Sequence, residues 1–176
     1  MTLWSLIVED LKTQREGIFA QGFWAILVYR ISHPRMNCRV GIVRKPWALF
    51  NIVMQKLIEM TCGITLPEGA KIGRRLRIEH YGSIIVHGST IIGNDCLIRQ
   101  GVTLGNKGDD FPGAAPSLGD RVEIGAGAKL IGNIKVSDDV KIGANAVVTC
   151  DLPSGCIAVG VPARIVQPRV NDIIFE

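Results

Sequence analysis

Residues 118–148 read LGDRVEIGAGAKLIGNIKVSDDVKIGANAVV, with an aliphatic side chain at every sixth position: Leu118, Ile124, Leu130, Val136, Ile142 and Val148. A period of six is neither the 3.6 of a helix nor the alternation of a hairpin strand. It calls for short strands separated by tight turns at fixed intervals. Glycine follows the aliphatic residue at Ile124 and Ile142, which suits such turns because glycine accepts positive φ without steric penalty. Four places after the aliphatic residue comes a slimmer apolar one, as at Val122, Ala128, Val140 and Ala146. Three units per coil would stack each aliphatic residue on the one 18 positions later, so that neighbouring coils build one continuous core.

The pattern extends upstream. Ile72 and Ile78 keep the six-residue interval, the register slips by two residues, and Val86, Ile92, Ile98 and Leu104 resume it. Between Leu104 and Leu118 the interval is fourteen, eight more than one repeat. The insert is polar and rich in Gly and Pro, hence an excursion from the wall, placed at 105–117. The expected fold is mainly β, a parallel β-helix of hexapeptide repeats over residues 65–166. An N-terminal helical region over 1–64 precedes it and a tail over 167–176 follows. Within the N-terminal region residues 3–33 and 46–60 read as helices, since Phe23, Ile26, Leu27 and Arg30, and likewise Trp47, Phe50, Met54, Leu57 and Ile58, recur at three and four. Residues 35–46 read as a connector.

Composition agrees with a thin-walled β structure. Of 176 residues 47% are hydrophobic but only 6% aromatic, and 20 are glycine, so the apolar content is mostly small or aliphatic. Cys38, Cys62, Cys96, Cys150 and Cys156 are scattered, odd in number and without a CxxC pair. They read as reduced thiols of a cytoplasmic protein, with no disulfide framework or zinc cage. The longest uncharged run, 18–29, is too short to span a bilayer, and the first residues lack a secretory n-region. Residues 1–60 hold eight Lys/Arg against four Asp/Glu. The run Arg30, Arg35, Arg39, Arg44, Lys45 reads as a solvated face or as a peripheral contact with the inner face of a membrane. No nucleic-acid motif accompanies it.

Of three histidines, His33 falls in the helical part. His80 follows Glu79 at the two-residue slip, where a turn leaves the regular wall and a side chain can project outward. An imidazole there could remove the proton of an alcohol or be a structural surface group. His87 has neither a third histidine nor a cysteine partner at ligand spacing, so no metal is expected.

Several motifs in one order carry a resemblance. Gly101–Gly105 (GVTLG), Ile124–Ile134 (IGAGAKLIGNI), Val140–Ala144 (VKIGA) and Gly160–Arg164 (GVPAR) look like the serine acetyltransferase branch of the left-handed β-helix acyltransferases. The likeness runs from about residue 62 to 166. Within that branch Ile72–Arg75 (IGRR), Ile98–Thr103 (IRQGVT) and Gly105–Gly108 (GNKG) look closer to colanic-acid-type exopolysaccharide acetyltransferases. The resemblance implies homotrimers with acetyl-CoA in a groove between adjacent β-helices. It maps His80 onto the general base and Glu79 onto the acidic residue beside it that contacts the acceptor. It maps Gly105, Asn106, Ala126, Lys141, Ala144 and Arg164 onto the CoA channel, with Lys141 and Arg164 meeting the phosphates. Glu16, Glu79, Gln100, Asp109 and Asp110 are expected on the acceptor side.

Three departures shape the expected acceptor. Thr65 stands where the resemblance has a histidine-orienting aspartate, leaving His80 to a backbone carbonyl or another carboxylate such as Glu68. Ala114 and Ala115 replace an adjacent Arg and His, and Arg15-Glu16-Gly17-Ile18 replaces Arg-Asp-Pro-Ala. These losses fall on amino-acid recognition. The first expectation is therefore acetyl transfer to a sugar hydroxyl of an exopolysaccharide or surface glycan. Serine O-acetylation for cysteine biosynthesis is the alternative, and an inactive CoA-binding or structural β-helix subunit is the reading of another class.

Overall fold

The computed structural model describes residues 2–38, 40–108 and 113–166. Three helices, α1 (Leu3–Thr13), α2 (Gln21–Ser32) and α3 (Gly41–Cys62), precede a parallel β-helix of about five turns with three flat faces. One face stacks β1 (Ile64–Thr65), β4 (Ile84–Val86), β7 (Thr103–Gly105), β10 (Lys129–Ile131) and β13 (Val147–Val148). The second stacks β2 (Lys71–Ile72), β5 (Ile91–Ile92), β8 (Ser117–Leu118) and β11 (Lys135–Val136). The third stacks β3 (Arg77–Glu79), β6 (Leu97–Arg99), β9 (Glu123–Ile124), β12 (Lys141–Ile142), β14 (Ile157–Val159) and β15 (Arg164–Val166), with β15 antiparallel to β14.

The repeat positions are the core. Leu118, Ile124, Leu130, Val136, Ile142 and Val148 are at most 4% exposed, and the slim partners Val102, Val122, Ala128, Val140 and Ala146 are fully buried. Each large aliphatic side chain so buried contributes about 1.5–3 kcal/mol, and the stack continues without a break from Ile64 to Ala158. Register follows the insertions. The first coil is long by the two-residue slip, so Arg77 faces Leu97 and Glu79 faces Arg99. The excursion lengthens the third, so Leu97 faces Glu123. Lys129 then faces Val147 at the regular 18.

One corner carries an ion-pair ladder. Arg75, Asp95, Arg121 and Asp139 all sit there with φ between 54° and 61°. Arg75 grips Asp95 from the coil below, and Arg121 grips Asp139 from the coil below, each through Nε and Nη2. Left-handed backbone is costly for residues with a Cβ, and these charge-assisted bonds between coils help offset it.

The lower rim of the solenoid would leave strand groups unpaired. Side chains from α2 and the end of α1 replace the missing coil. The Tyr29 hydroxyl donates to the Ala70 carbonyl at 2.8 Å and accepts from the Ile72 N–H at 3.0 Å. Arg30, held by Asp10, donates to the carbonyls of Ile72 and Gly73. Gln14 treats β3 the same way.

The helical region departs from expectation in two places. Residues 3–33 are two helices, not one, separated by an extended Gln14 and a 3-10 turn at Gly17–Phe19, with Gly17 at φ 54°. α3 begins at Gly41, well inside the expected connector. Pro46 is the sixth residue of this helix, so the bond that an N–H there would donate to the Ile42 carbonyl is missing from the second turn. β1 starts at Ile64, one residue ahead of the expected boundary.

Candidate active site

The strand β3 ends at Glu79, and the chain turns onto the next face through His80, whose φ is 62°. The slip noted in the sequence lies at this corner: His80, Gly82 and Ser83 all have positive φ. Ile78 points into the core, so its neighbours Arg77 and Glu79 face outward on the third face, and His80 stands exposed on the corner.

The break between α1 and α2 supplies the opposite wall. Arg15, Glu16, Gln21, Glu79, His80 and Tyr81 help enclose a cavity of about 280 Å³. Its floor requires close approach. A Cβ added at Gly22 would lie 2.7 Å from the Ile78 Cβ, so glycine at this position lets the start of α2 rest directly on β3. His80 has no hydrogen-bond partner for its ring among the described residues, and the expected orienting groups are absent. Glu68 is already engaged, accepting from Arg35 Nε at 2.8 Å and Asn51 Nδ2 at 3.2 Å, so it does not hold His80. Thr65 Oγ1 is 3.5 Å from Glu59 Oε1 instead. His33 Nδ1 lies 2.8 Å from the Glu68 carbonyl, and His87 Nδ1 accepts from the Ser89 N–H at 3.2 Å. The Nδ1 atom of each is thus engaged locally, and no group of three metal-ligating side chains exists among the described residues.

The acceptor-side residues divide. Glu16 and Glu79 border the cavity. Gln100 lies one coil above His80, with Oε1 buried and without a hydrogen-bond partner. Asp109 and Asp110 fall outside the described residues. Glu79 is held by three arginines, Arg15, Arg77 and Arg99. Sequence reasoning did not assign Arg77 and Arg99 to the site, because only the 20-residue first coil reveals that Arg99 stacks on Glu79.

The expected CoA residues occupy several places, not one lining. Ala126 and Ala144 stack on the His80 corner above Gln100, linked by Gly127 N–H to Gln100 carbonyl and Asn145 N–H to Ala126 carbonyl bonds of 2.8 Å. Gly105 and Asn106 lie across the first face at its other edge, where Asn106 Nδ2 donates to the Gly108 carbonyl. Lys141 is on the third face, 3.6 Å from Glu123, and Arg164 is on the exposed β15. Small residues on the corner leave the backbone accessible to an extended ligand arm.

Comparison with known proteins bears on this arrangement. A family model described as bacterial transferase hexapeptide (six repeats) matches residues 115–150. A serine acetyltransferase of Helicobacter pylori (strain 26695) is 43% identical over 145 residues, covering 82% of this chain and 81% of the relative. The soybean serine acetyltransferase complexed with serine superposes with a TM-score of 0.82 at 32% identity, over 93% of this chain and 69% of that one. A serine acetyltransferase in complex with CoA gives 0.80 at 34% identity, over 93% and 69%. These relatives lend no support to the exopolysaccharide branch expected from the sequence.

Proposed function

Because the chain belongs to the serine acetyltransferase-like family of hexapeptide-repeat acyltransferases, we propose that it transfers the acetyl group of acetyl-CoA to the hydroxyl of free L-serine, with His80 as general base. The observation that carries this reading is the cavity lined by an exposed histidine, a carboxylate without an ion-pair partner among the described residues (Glu16) and an arginine (Arg15). A zwitterionic amino alcohol needs those three groups: a base for its hydroxyl, an anion for its ammonium and a cation for its carboxylate. A neutral sugar has no use for the last two.

In this mechanism His80 accepts the hydroxyl proton as the serine oxygen forms its bond to the acetyl carbon. Acetyl-CoA supplies the activated thioester and leaves as the free thiol of CoA. Glu79, fixed by its arginines, holds the strand end from which His80 projects. The residues of the chain fit an extended thioester arm at Ala126 and Ala144, where small side chains allow close approach. The active unit is a trimer, in which the His80 corner of one copy meets the Gly105 edge of the next. The apolar stripe on α3, exposed at Ile42, Leu49, Val53, Leu57 and Met60, supports burial against another copy.

The test is thiol release from acetyl-CoA with L-serine and with a panel of sugars and glycan repeat units. Turnover on serine supports the proposal. Turnover on a sugar with none on serine overturns it, and CoA binding without turnover on any hydroxyl would point to an inactive subunit.

A further inference from the structure

The basic run of the N-terminal region is not a single solvated face. Arg30 is buried on Asp10 and Arg35 is held by Glu68, while Arg39 falls outside the described residues. Arg44 and Lys45 remain. Both are exposed near the start of α3, and their side chains make no ion pair or hydrogen bond among the described residues. The whole opening of the helix, residues 41–46, is exposed. The apolar stripe set against another copy does not use up the apolar surface here. Val43 and Phe50, seven residues apart and hence on one side of the helix, are each half exposed and widen it, and the exposed Met36 and Val40 extend it ahead of the helix. The inner side carries Asn51, buried and donating to Glu68. α3 is thus inverted with respect to a helix that meets water, with a polar residue inside and apolar residues outside.

We infer that this surface, Arg44 and Lys45 together with Met36, Val40, Val43 and Phe50, docks on an anionic lipid bilayer. Charge decides the occupant. From residue 17 to residue 58 the chain has six Lys/Arg and no Asp or Glu, and Lys56 is already paired with Glu59. A second copy laid on this surface would cover its apolar side chains but would bring no carboxylate from the same stretch to Arg44 and Lys45. An acidic protein surface would receive the two cations and leave Val43 and Phe50 against polar groups. A bilayer with acidic headgroups takes both: the cations reach the phosphates, while their methylene stems and the apolar neighbours enter the boundary with the acyl chains. No described helix is long and apolar enough to cross a membrane, so the contact is peripheral. None of these residues lines the His80 cavity, which makes the surface separate from the acetyl-transfer site.

Co-sedimentation of the full chain with vesicles tests this, comparing a phosphatidylglycerol–phosphatidylcholine mixture with phosphatidylcholine alone. Wild type should partition onto the anionic vesicles and not onto the zwitterionic ones, and raising the salt concentration should weaken the binding. Each basic residue at an anionic surface is worth roughly a fivefold factor, so Arg44→Gln with Lys45→Gln should lower partitioning by about thirtyfold. Val43→Ser with Phe50→Ser should lower it by about tenfold or more through lost apolar burial. Circular dichroism and melting temperature of both double variants should stay close to wild type, since all four side chains are on the outside. Wild type that binds neither vesicle, or binds both equally, overturns the inference, as does undiminished binding by the Arg44/Lys45 variant. If wild type ignores the vesicles while the Val43/Phe50 variant changes mass in light scattering, the surface is a contact between copies and the inference fails.

Discussion

Gln14 pairs with Ile78 as if it were a strand of a missing coil: its Oε1 accepts from the Ile78 N–H at 3.1 Å while its Nε2 donates to the Leu76 carbonyl at 2.8 Å. The amide group thereby completes the lower edge of β3, the strand that ends in Glu79. Gln14 is the first residue after α1, so the helix break that opens the cavity also closes this edge.

Gln14→Ala should lower stability by about 2–3 kcal/mol, because two buried backbone groups lose their partners at once. Chemical denaturation measures it. Gln14→Glu should also destabilise near neutral pH, since a carboxylate can accept from Ile78 but cannot donate to Leu76. A loss below about half a kcal/mol in both variants would show that water takes over the edge.

His80→Asn should abolish acetyl transfer while leaving the fold intact. Asparagine tolerates the left-handed backbone that this corner requires, and His80 is exposed with no ring hydrogen bond to lose among the described residues. The rate with serine should fall by about 10²–10⁴, with circular dichroism and melting temperature close to wild type. A variant that keeps most of its activity removes His80 from the mechanism.

Acid should weaken the protein through its surface ion pairs. Hydrogen bonds from Arg74 and Arg75 hold Glu9 below the usual carboxylate range, Arg75 does so for Asp95, and Arg121 for Asp139. A carboxylate with a depressed folded-state pKa contributes stability that is present above its unfolded value, about 4. That stability is lost as pH falls through the folded value. Melting temperature should therefore decline progressively below about pH 4. In Asp95→Asn with Asp139→Asn the decline should be shallower, from a lower starting point at neutral pH. An unchanged slope would mean the ladder is fully screened by solvent.

Thiol labelling should discriminate among the cysteines. Burial pushes the Cys96 thiol up to about 11, so at pH 8 only about one molecule in a thousand presents its thiolate. Cys150 is exposed. Brief alkylation of native protein followed by peptide mass analysis should find Cys150 modified and Cys96 untouched, with Cys96 reacting only after denaturation. Rapid native labelling of Cys96 would show that its coil opens readily.

The six-residue period was enough to read the wall of the solenoid, because a large and a slim side chain of each repeat must enter a narrow interior, and Leu118, Val122, Ile124 and Ala128 do so in order. His80 was legible for a related reason: a register slip must be absorbed at a corner. The surroundings of Glu79 were not legible, since they depend on a coil of 20 residues and on a helix break that brings Arg15 back to β3. Nor was the rim. Tyr29, Arg30 and Gln14 look like ordinary helix residues until the strand edge beneath them is seen. The sugar acceptor expected from the losses at positions 114 and 115 finds no support among the serine acetyltransferase relatives.

The strand β15 runs against β14, whereas every other neighbouring pair in that sheet runs parallel. A stack of identical parallel coils is a template, and a bare last coil invites the first coil of another molecule to add to it. On this face the template ends in a strand of the wrong polarity. Growth of one molecule upon another is thereby discouraged, leaving copies to meet side by side rather than end to end. Lateral meeting is also what the trimer proposed above requires, so the same reversal that discourages fibres is compatible with that assembly.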